Sequence, residues 1–339
     1  MKARTLLAAA LSFAGCARES RTPIVVYSPH GRDLLGLVEK TYEGKHPEVD
    51  VRWLDMGSQE VYDRIRAEKA NPQCDVWYGG PGTIFARGAR DGLLETFTPS
   101  WAAAVAAESR HGGLYTGLYR TPVAILYNSE AVSQADAPTE WDDLLAPRFK
   151  GRVLVRDPIA SGTMRAVWGM VLSRSVAQTG SPDRGFAWLA RLDGQTKEYV
   201  VNASILCEKV ARREGLVTMW DLPDILLEKQ RSPILAFVFP KSGSPVIDDA
   251  VGLVKGAKHA GEARALIEWL GSPEAQLLAA DKAYRLPART DLPEENLPAW
   301  AREVARTLVP AKLDWDVIER EGPGWMARWD REIRGRGPK

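Results

Sequence analysis

"VRDPIASGTMRAVWG", residues 155–169, reads as the junction of a strand and a helix. An extended run stops at Arg156-Asp157-Pro158. Beyond Ser161, the apolar residues Met164, Val167, Trp168, Val171 and Leu172 recur at i, i+3, i+4, i+7 and i+8, which lays one apolar face along a helix. Ser161 is a good N-cap residue. The helix thus opens with free backbone N–H groups, the hydroxyls of Ser161 and Thr163, a glycine at 162 that permits close approach, and Arg156 nearby. Two readings stand at this point. One is an ordinary solvated cap. The other is a seat for an anion, because a helix N-terminus carries about half a positive charge and a set of free donors.

The flanking sequence repeats the strand-then-helix rhythm. Downstream come a helix over 183–192, a strand over 215–220 and a helix over 222–229. Upstream, "IVVYS" (24–28) is a short apolar strand, and Leu34, Val38 and Tyr42 set a helix over 32–44. "VDVRWL" (49–54) alternates as a second strand, and Ser58 caps a helix running to about Ala70. "DVWY" (75–78) is a third strand, followed by a turn at Gly79-Gly80-Pro81-Gly82. This βαβαβ order predicts a parallel sheet with helices on both faces. Ligands of such sheets bind outside the carboxyl ends of the strands. Topology alone therefore selects Ser28-Pro29-His30, Gly57-Ser58, Gly79-Gly80 and the segment from Arg156 to Thr163.

The chain has 339 residues, and single cores stop growing at about 250–300 residues, so two lobes are expected. "LYRTPVAILYN" (118–128) reads as a strand crossing between them, "PILAFVFP" (233–240) as a second crossing, and helix 260–270 as a return to the first lobe. Residues 289–335 hold two amphipathic helical stretches. The net charge of +1 suggests neither a nucleic-acid partner nor a broad membrane-binding face. Lys2 and Arg4 precede a short apolar run, "TLLAAALSFAG" (5–15), that ends at Cys16. It resembles a bacterial lipoprotein signal, with Phe13 where Leu is usual, and implies a lipid on Cys16, a tether over 16–22 and a mature protein outside the cytoplasm. Cys74 and Cys207 remain; they form no C-x-x-C motif, and the four histidines are scattered, so no metal site or cofactor is expected.

Three stretches carry a family resemblance: "PTEWDDLLAPRFKGRVLV" (138–155), "DVWYGGPGTIFARGARDGLL" (75–94) and "SGSPVIDDAVGLVKGAKHAGEARALIEWLGSPEAQ" (242–276). In order and spacing they resemble the extracellular solute-binding proteins of bacterial ABC importers, in the group with ferric-iron, hexose-phosphate, aminoalkylphosphonate and thiamine receptors. The resemblance implies an α/β, bilobal periplasmic-binding-protein fold (type II, Venus-flytrap) with two mixed or parallel sheets and a two-strand hinge. It also implies a transport role, a small-molecule solute bound between the lobes, importer permease subunits as partner, and a monomer. Lobe 1 is expected over 23–120 and 238–288, lobe 2 over 121–237 and 289–335.

The ligand is read from departures within that group. The iron branch uses a His and a Glu from one lobe and a Tyr pair from the other. Here His30 is one residue out of step, Gly79-Gly80 replaces the Glu, and "TMWDLPD" (218–224) holds no Tyr. The Gly-Gly resembles the phosphorylated-sugar and phosphonate branches, and glycine lets backbone N–H groups approach an oxyanion. The expected ligand contacts are Ser28, His30, Ser58, Gly79, Gly80, Arg120, Arg156, Ser161, Gly162, Thr163, Trp220 and Asp221, around a phosphate, phosphonate or carboxylate. Several have a structural reading beside the functional one: Ser58 and Asp221 as helix caps, Trp220 as core, Arg120 as a hinge ion pair. Ferric iron, alone or with a bound anion, is the alternative cargo, and a ligand-sensing receptor for a membrane signalling protein the alternative class. An enzyme is not expected, since no G-x-x-x-x-G-K-[ST], H-E-x-x-H or G-x-S-x-G motif occurs.

Overall fold

The computed structural model describes residues 21–337; the expected signal sequence and Cys16 lie outside the described residues. The chain begins with β1 (Thr22–Ser28), α1 (Arg32–Lys45), β2 (Val49–Asp55), α2 (Ser58–Ala67), β3 (Val76–Pro81) and α3 (Gly82–Arg90). β1 pairs in parallel with both β2 and β3, as the alternating pattern predicts. Two short strands, β4 (Leu94–Glu95) and β5 (Arg110–His111), lead to the long β6 (Tyr115–Asn128). Next come β7 (Val153–Arg156), α4 (Gly162–Thr179), α5 (Asp183–Gln195), β8 (Thr196–Val200), α6 (Leu206–Ala211), β9 (Val217–Asp221) and α7 (Leu222–Arg231). The remainder is β10 (Leu235–Val238), β11 (Val246–Val254), α8 (Ala260–Leu270), α9 (Pro273–Ala283), β12 (Leu286–Pro287), α10 (Ala299–Thr307) and α11 (Trp315–Glu332).

The main sheet order is β2-β1-β3-β11-β6-β9-β7-β8. β6 belongs to both halves: Thr116–Pro122 pairs with β11, and Val123–Tyr127 pairs with β9. The two sheets expected from the sequence are therefore joined through one shared strand. Its run of small and branched residues, buried at Val123, Ala124, Ile125 and Leu126, suits a strand covered on both faces.

Each half buries its own apolar groups. In the first, Ile24, Tyr42, Val51 and Leu266 pack on one side of the sheet, and Tyr27, Ile65, Trp77 and Phe85 form a second cluster. In the second, Val123–Leu126 and Val153–Val155 pack with Trp168 from α4 and Trp329 from α11. Cys74 and Cys207 are buried, unpaired and in different clusters.

The second crossing falls later than the sequence suggests. All four residues of β10 pair with β6 over Ile125–Asn128, which keeps "PILAFVFP" with the second half, and the chain crosses over 239–245. A third crossing follows at 308–314. The Ser244 N–H donates to Val309 O at 2.8 Å and the Ala311 N–H donates to Ser244 O at 2.7 Å, so the second and third crossings run side by side. Residues 289–335 thus divide their contacts. α10 leans on α9, with the Trp300 indole donating to Ala280 O at 3.1 Å, while α11 puts Trp325, Met326 and Trp329 into the second half's core.

Candidate functional site

A cavity of about 490 Å³ lies between the halves. Of the residues singled out in the sequence, His30, Ser58, Gly80, Arg156, Ser161, Gly162, Thr163, Trp220 and Asp221 line it. Three do not. Ser28 is fully buried, and its Oγ accepts the His30 N–H at 3.1 Å, so it shapes the turn behind the cleft. Gly79 lies beneath the His30 ring, in the space a Cβ would need. Arg120 is exposed. Side chains alternate faces along a strand, and in β6 it is Thr121, one residue on, that faces the cleft.

Local structure differs from the sequence reading in two places. Ser58 is the first helical residue of α2; Gly57 occupies the cap position, and its N–H donates to the Glu60 carboxylate at 2.7 Å. Gly79-Gly80 is no turn. Both stay within β3 at φ +92° and +107°, where the pairing with β11 slips between Asp249 and Val251. Such φ values suit glycine, and the bulge turns the Gly80 N–H onto Asp249 at 3.0 Å.

The α4 terminus is built as expected. Ser161 caps it, its Oγ accepting the Met164 N–H at 3.2 Å. The N–H groups of Gly162 and Thr163 have no acceptor among the described residues. Arg156, at the end of β7, is 6% exposed, and its Nη1 donates to Val200 O at 3.3 Å while its Nε has no partner. Burial pulls this guanidinium's pKa below its ordinary value, a sign of incomplete charge compensation.

The halves touch across this end of the cleft. A Cβ on Gly162 would lie 2.6 Å from Pro81 Cδ and 2.7 Å from Ser58 Oγ. The N-termini of α2 and α4, from opposite halves, therefore face each other. Asp33–Arg231 at 3.3 Å, Gln230–Tyr284 and Arg90–Glu319 add further contacts between the halves.

The floor holds residues that the sequence reading missed: Thr121, Asp224, Asp249 and Arg285. Asp249 accepts from Gly80 and from the Thr121 hydroxyl. Asp221 caps α7 by accepting the Asp224 N–H at 3.2 Å, and the Trp220 indole donates to Asp224 at 2.9 Å. Burial, and then the neighbouring Asp224, push the Asp221 carboxyl well above its usual range, with Arg285 pulling the other way. His30 is held neutral, well below its ordinary pKa, by burial and by Arg285. Among the described residues, no group of three or more His, Cys, Asp or Glu side chains is placed to hold a metal ion.

Comparison with known proteins agrees with this architecture. The family model described as "Bacterial extracellular solute-binding protein" matches residues 75–310. A probable ABC transporter periplasmic-binding protein of Sinorhizobium fredii is 26% identical over 317 residues, 92% of this chain and 86% of that protein. A putative 2-aminoethylphosphonate-binding periplasmic protein of Salmonella typhimurium is 27% identical over 291 residues, 84% of this chain and 83% of its own length. Among solved structures, the periplasmic binding protein AfuA of Actinobacillus pleuropneumoniae, with fructose-6-phosphate bound, superposes with a TM-score of 0.82 at 25% identity, over 93% of this chain and 99% of that one. The two lobes, the shared strand and the cleft between them are those of ABC-importer receptors, and the chain belongs to the family of bacterial extracellular solute-binding proteins.

Proposed function

We propose that this receptor captures a small solute bearing a phosphate, phosphonate or carboxylate and delivers it unchanged to its permease, as a monomer tethered by a lipid on Cys16. One observation carries the reading: two helix N-termini from opposite lobes, at Ser58 and Gly162, converge on one cleft beside the buried, incompletely paired Arg156. Converging positive dipole ends repel one another, and an anion between them reverses the sign of that interaction. The 2-aminoethylphosphonate in one relative's name and the fructose-6-phosphate in one neighbour's structure both carry phosphorus oxyanions, which supports the same class here.

The mechanism follows from the geometry. An anion contacting both helix ends binds the closed arrangement better than an open one, and this differential affinity shifts the population toward closure. The closed shape is what the permease reads. A wrong solute leaves buried donors such as Arg156 Nε unmet, which costs affinity.

A thermal-shift screen of the ligand-free mature protein tests the reading. The panel holds phosphate monoesters, phosphonates, inorganic phosphate, dicarboxylates, thiamine, and ferric salts with and without citrate. A ligand at a hundred times its Kd stabilises by about 2.7 kcal/mol. A shift with phosphate or phosphonate compounds supports the proposal, and a shift with ferric salts alone overturns it.

A further inference from the structure

We propose that Arg285 and Asp221 together read a hydroxyl group on the solute, at the end remote from its anion. This rests on the anion reading above. Arg285 is 5% exposed, lines the cleft, and its Nε–H has no acceptor among the described residues. Its nearest ion-pair partner there, Asp224 Oδ1, lies 3.9 Å from Nη2, beyond hydrogen-bond reach.

The polar atoms around it are mostly spoken for. Both Asp249 oxygens accept, one from Gly80 and one from Thr121. Asp224 Oδ2 accepts the Trp220 indole. Asp221 Oδ1 accepts the α7 backbone, and its Oδ2 receives no donor from the described residues. The floor therefore presents unmet donors on Arg285 and unmet acceptors at Asp221 Oδ2 and Asp224 Oδ1, in one cavity wall, with the unpartnered His30 Nε2 in the same cleft.

A hydroxyl is the group that satisfies both, since it accepts and donates. An ammonium has no acceptor for Arg285 and brings a cation against a cation. A second carboxylate or phosphate leaves Asp221 facing like charge, with Asp224 and Asp249 behind it. An alkyl end meets neither, and burying an unmet polar group costs more than a hydrogen bond gains. The buried Trp220 ring in the same wall offers apolar surface to the carbons between hydroxyls.

Calorimetric titration of the mature protein with four six-carbon probes tests this. The probes are hexyl phosphate, hexitol 6-phosphate, 6-aminohexyl phosphate and 5-carboxypentyl phosphate. Hexitol phosphate is expected to bind at least tenfold tighter than the other three. Asp221→Asn, which keeps a good helix cap, and Arg285→Lys are each expected to cut the hexitol-to-hexyl affinity ratio at least tenfold. An amine or carboxylate probe that equals the hexitol, or a ratio that survives both substitutions, overturns the hydroxyl reading while leaving the anion reading standing. Failure of all four probes overturns this inference, and the anion reading is then decided by the phosphonates and carboxylates of the thermal-shift panel.

Discussion

The backbone N–H of Gln59 donates to the carbonyl of Ala160 at 3.3 Å, joining one lobe to the other across the mouth of the cleft. Glycines two residues away, at 57 and 162, leave room for this approach. A Cβ on Gly57 would lie 2.8 Å from Ala160 O, and one on Gly162 would press on Pro81 and Ser58. Neither glycine has a positive φ, so a side chain at 162 leaves α4 free to form and obstructs only the approach of the lobes. Gly162→Val is expected to weaken solute binding tenfold or more and to enlarge the radius of gyration measured by small-angle scattering in saturating solute. An unchanged radius with unchanged affinity would show that closure does not bring these residues together.

Arg156 separates binding from stability. The guanidinium is buried without full pairing, which costs desolvation in the empty protein. Arg156→Ala is expected to lower affinity at least tenfold in titrations while the ligand-free melting temperature stays level or rises. A large fall in melting temperature together with intact affinity would assign the residue to the fold alone.

The ion pair between Arg90 of α3 and Glu319 of α11 ties the lobes together through residues that do not line the cleft. Arg90 is more than half exposed, and exposed pairs contribute about 0.2–1 kcal/mol. Reversing Glu319 to Arg is therefore expected to weaken solute binding by roughly fivefold at most, and adding Arg90→Glu to restore it. Titration of the single and double variants at low salt checks the coupling; a double variant no better than Glu319→Arg would deny it.

Asp248, on β11, gives stability a pH dependence. Burial raises its carboxyl to about 6, offset in part by Ser109 and Arg120. A raised folded-state value means that the native protein holds this proton longer than the unfolded chain. The stabilisation is present below the unfolded value and is lost as pH rises through about 6. Asp248→Asn removes the titration, so its stability relative to the parent should increase between pH 4 and 7. The ceiling is about 3 kcal/mol, reduced by the partial solvent exposure of the group. Urea unfolding at both pH values checks the sign.

The sequence made the first three strands legible because each is a short apolar run closed by turn residues, and the α4 cap legible because Ser161 directly precedes a clean helical period. It misled at Gly79-Gly80, where glycines that look like a turn serve a bulge inside β3. Their role depends on Asp249, far along the chain, and no local pattern carries that pairing. Arg285 was illegible for the same reason. In "AYRLP" it resembles any surface arginine, and it reaches the cleft only because Leu286 and Pro287 pair with Arg120 and Tyr119. Arg120 was misplaced by one residue in a strand whose two faces differ completely in surroundings.

The chain's third crossing, over 308–314, also constrains how the protein acquires its shape. Lobe 1 begins at Thr22 yet needs β11 and the helices up to α10, and lobe 2 closes its core only when Trp325, Met326 and Trp329 arrive from α11. Neither lobe can be completed from an amino-terminal fragment. A chain emerging end-first therefore stays without finished cores until nearly all of it is out. Contacts of such long sequence separation slow folding, and the second core waits for α11 to dock.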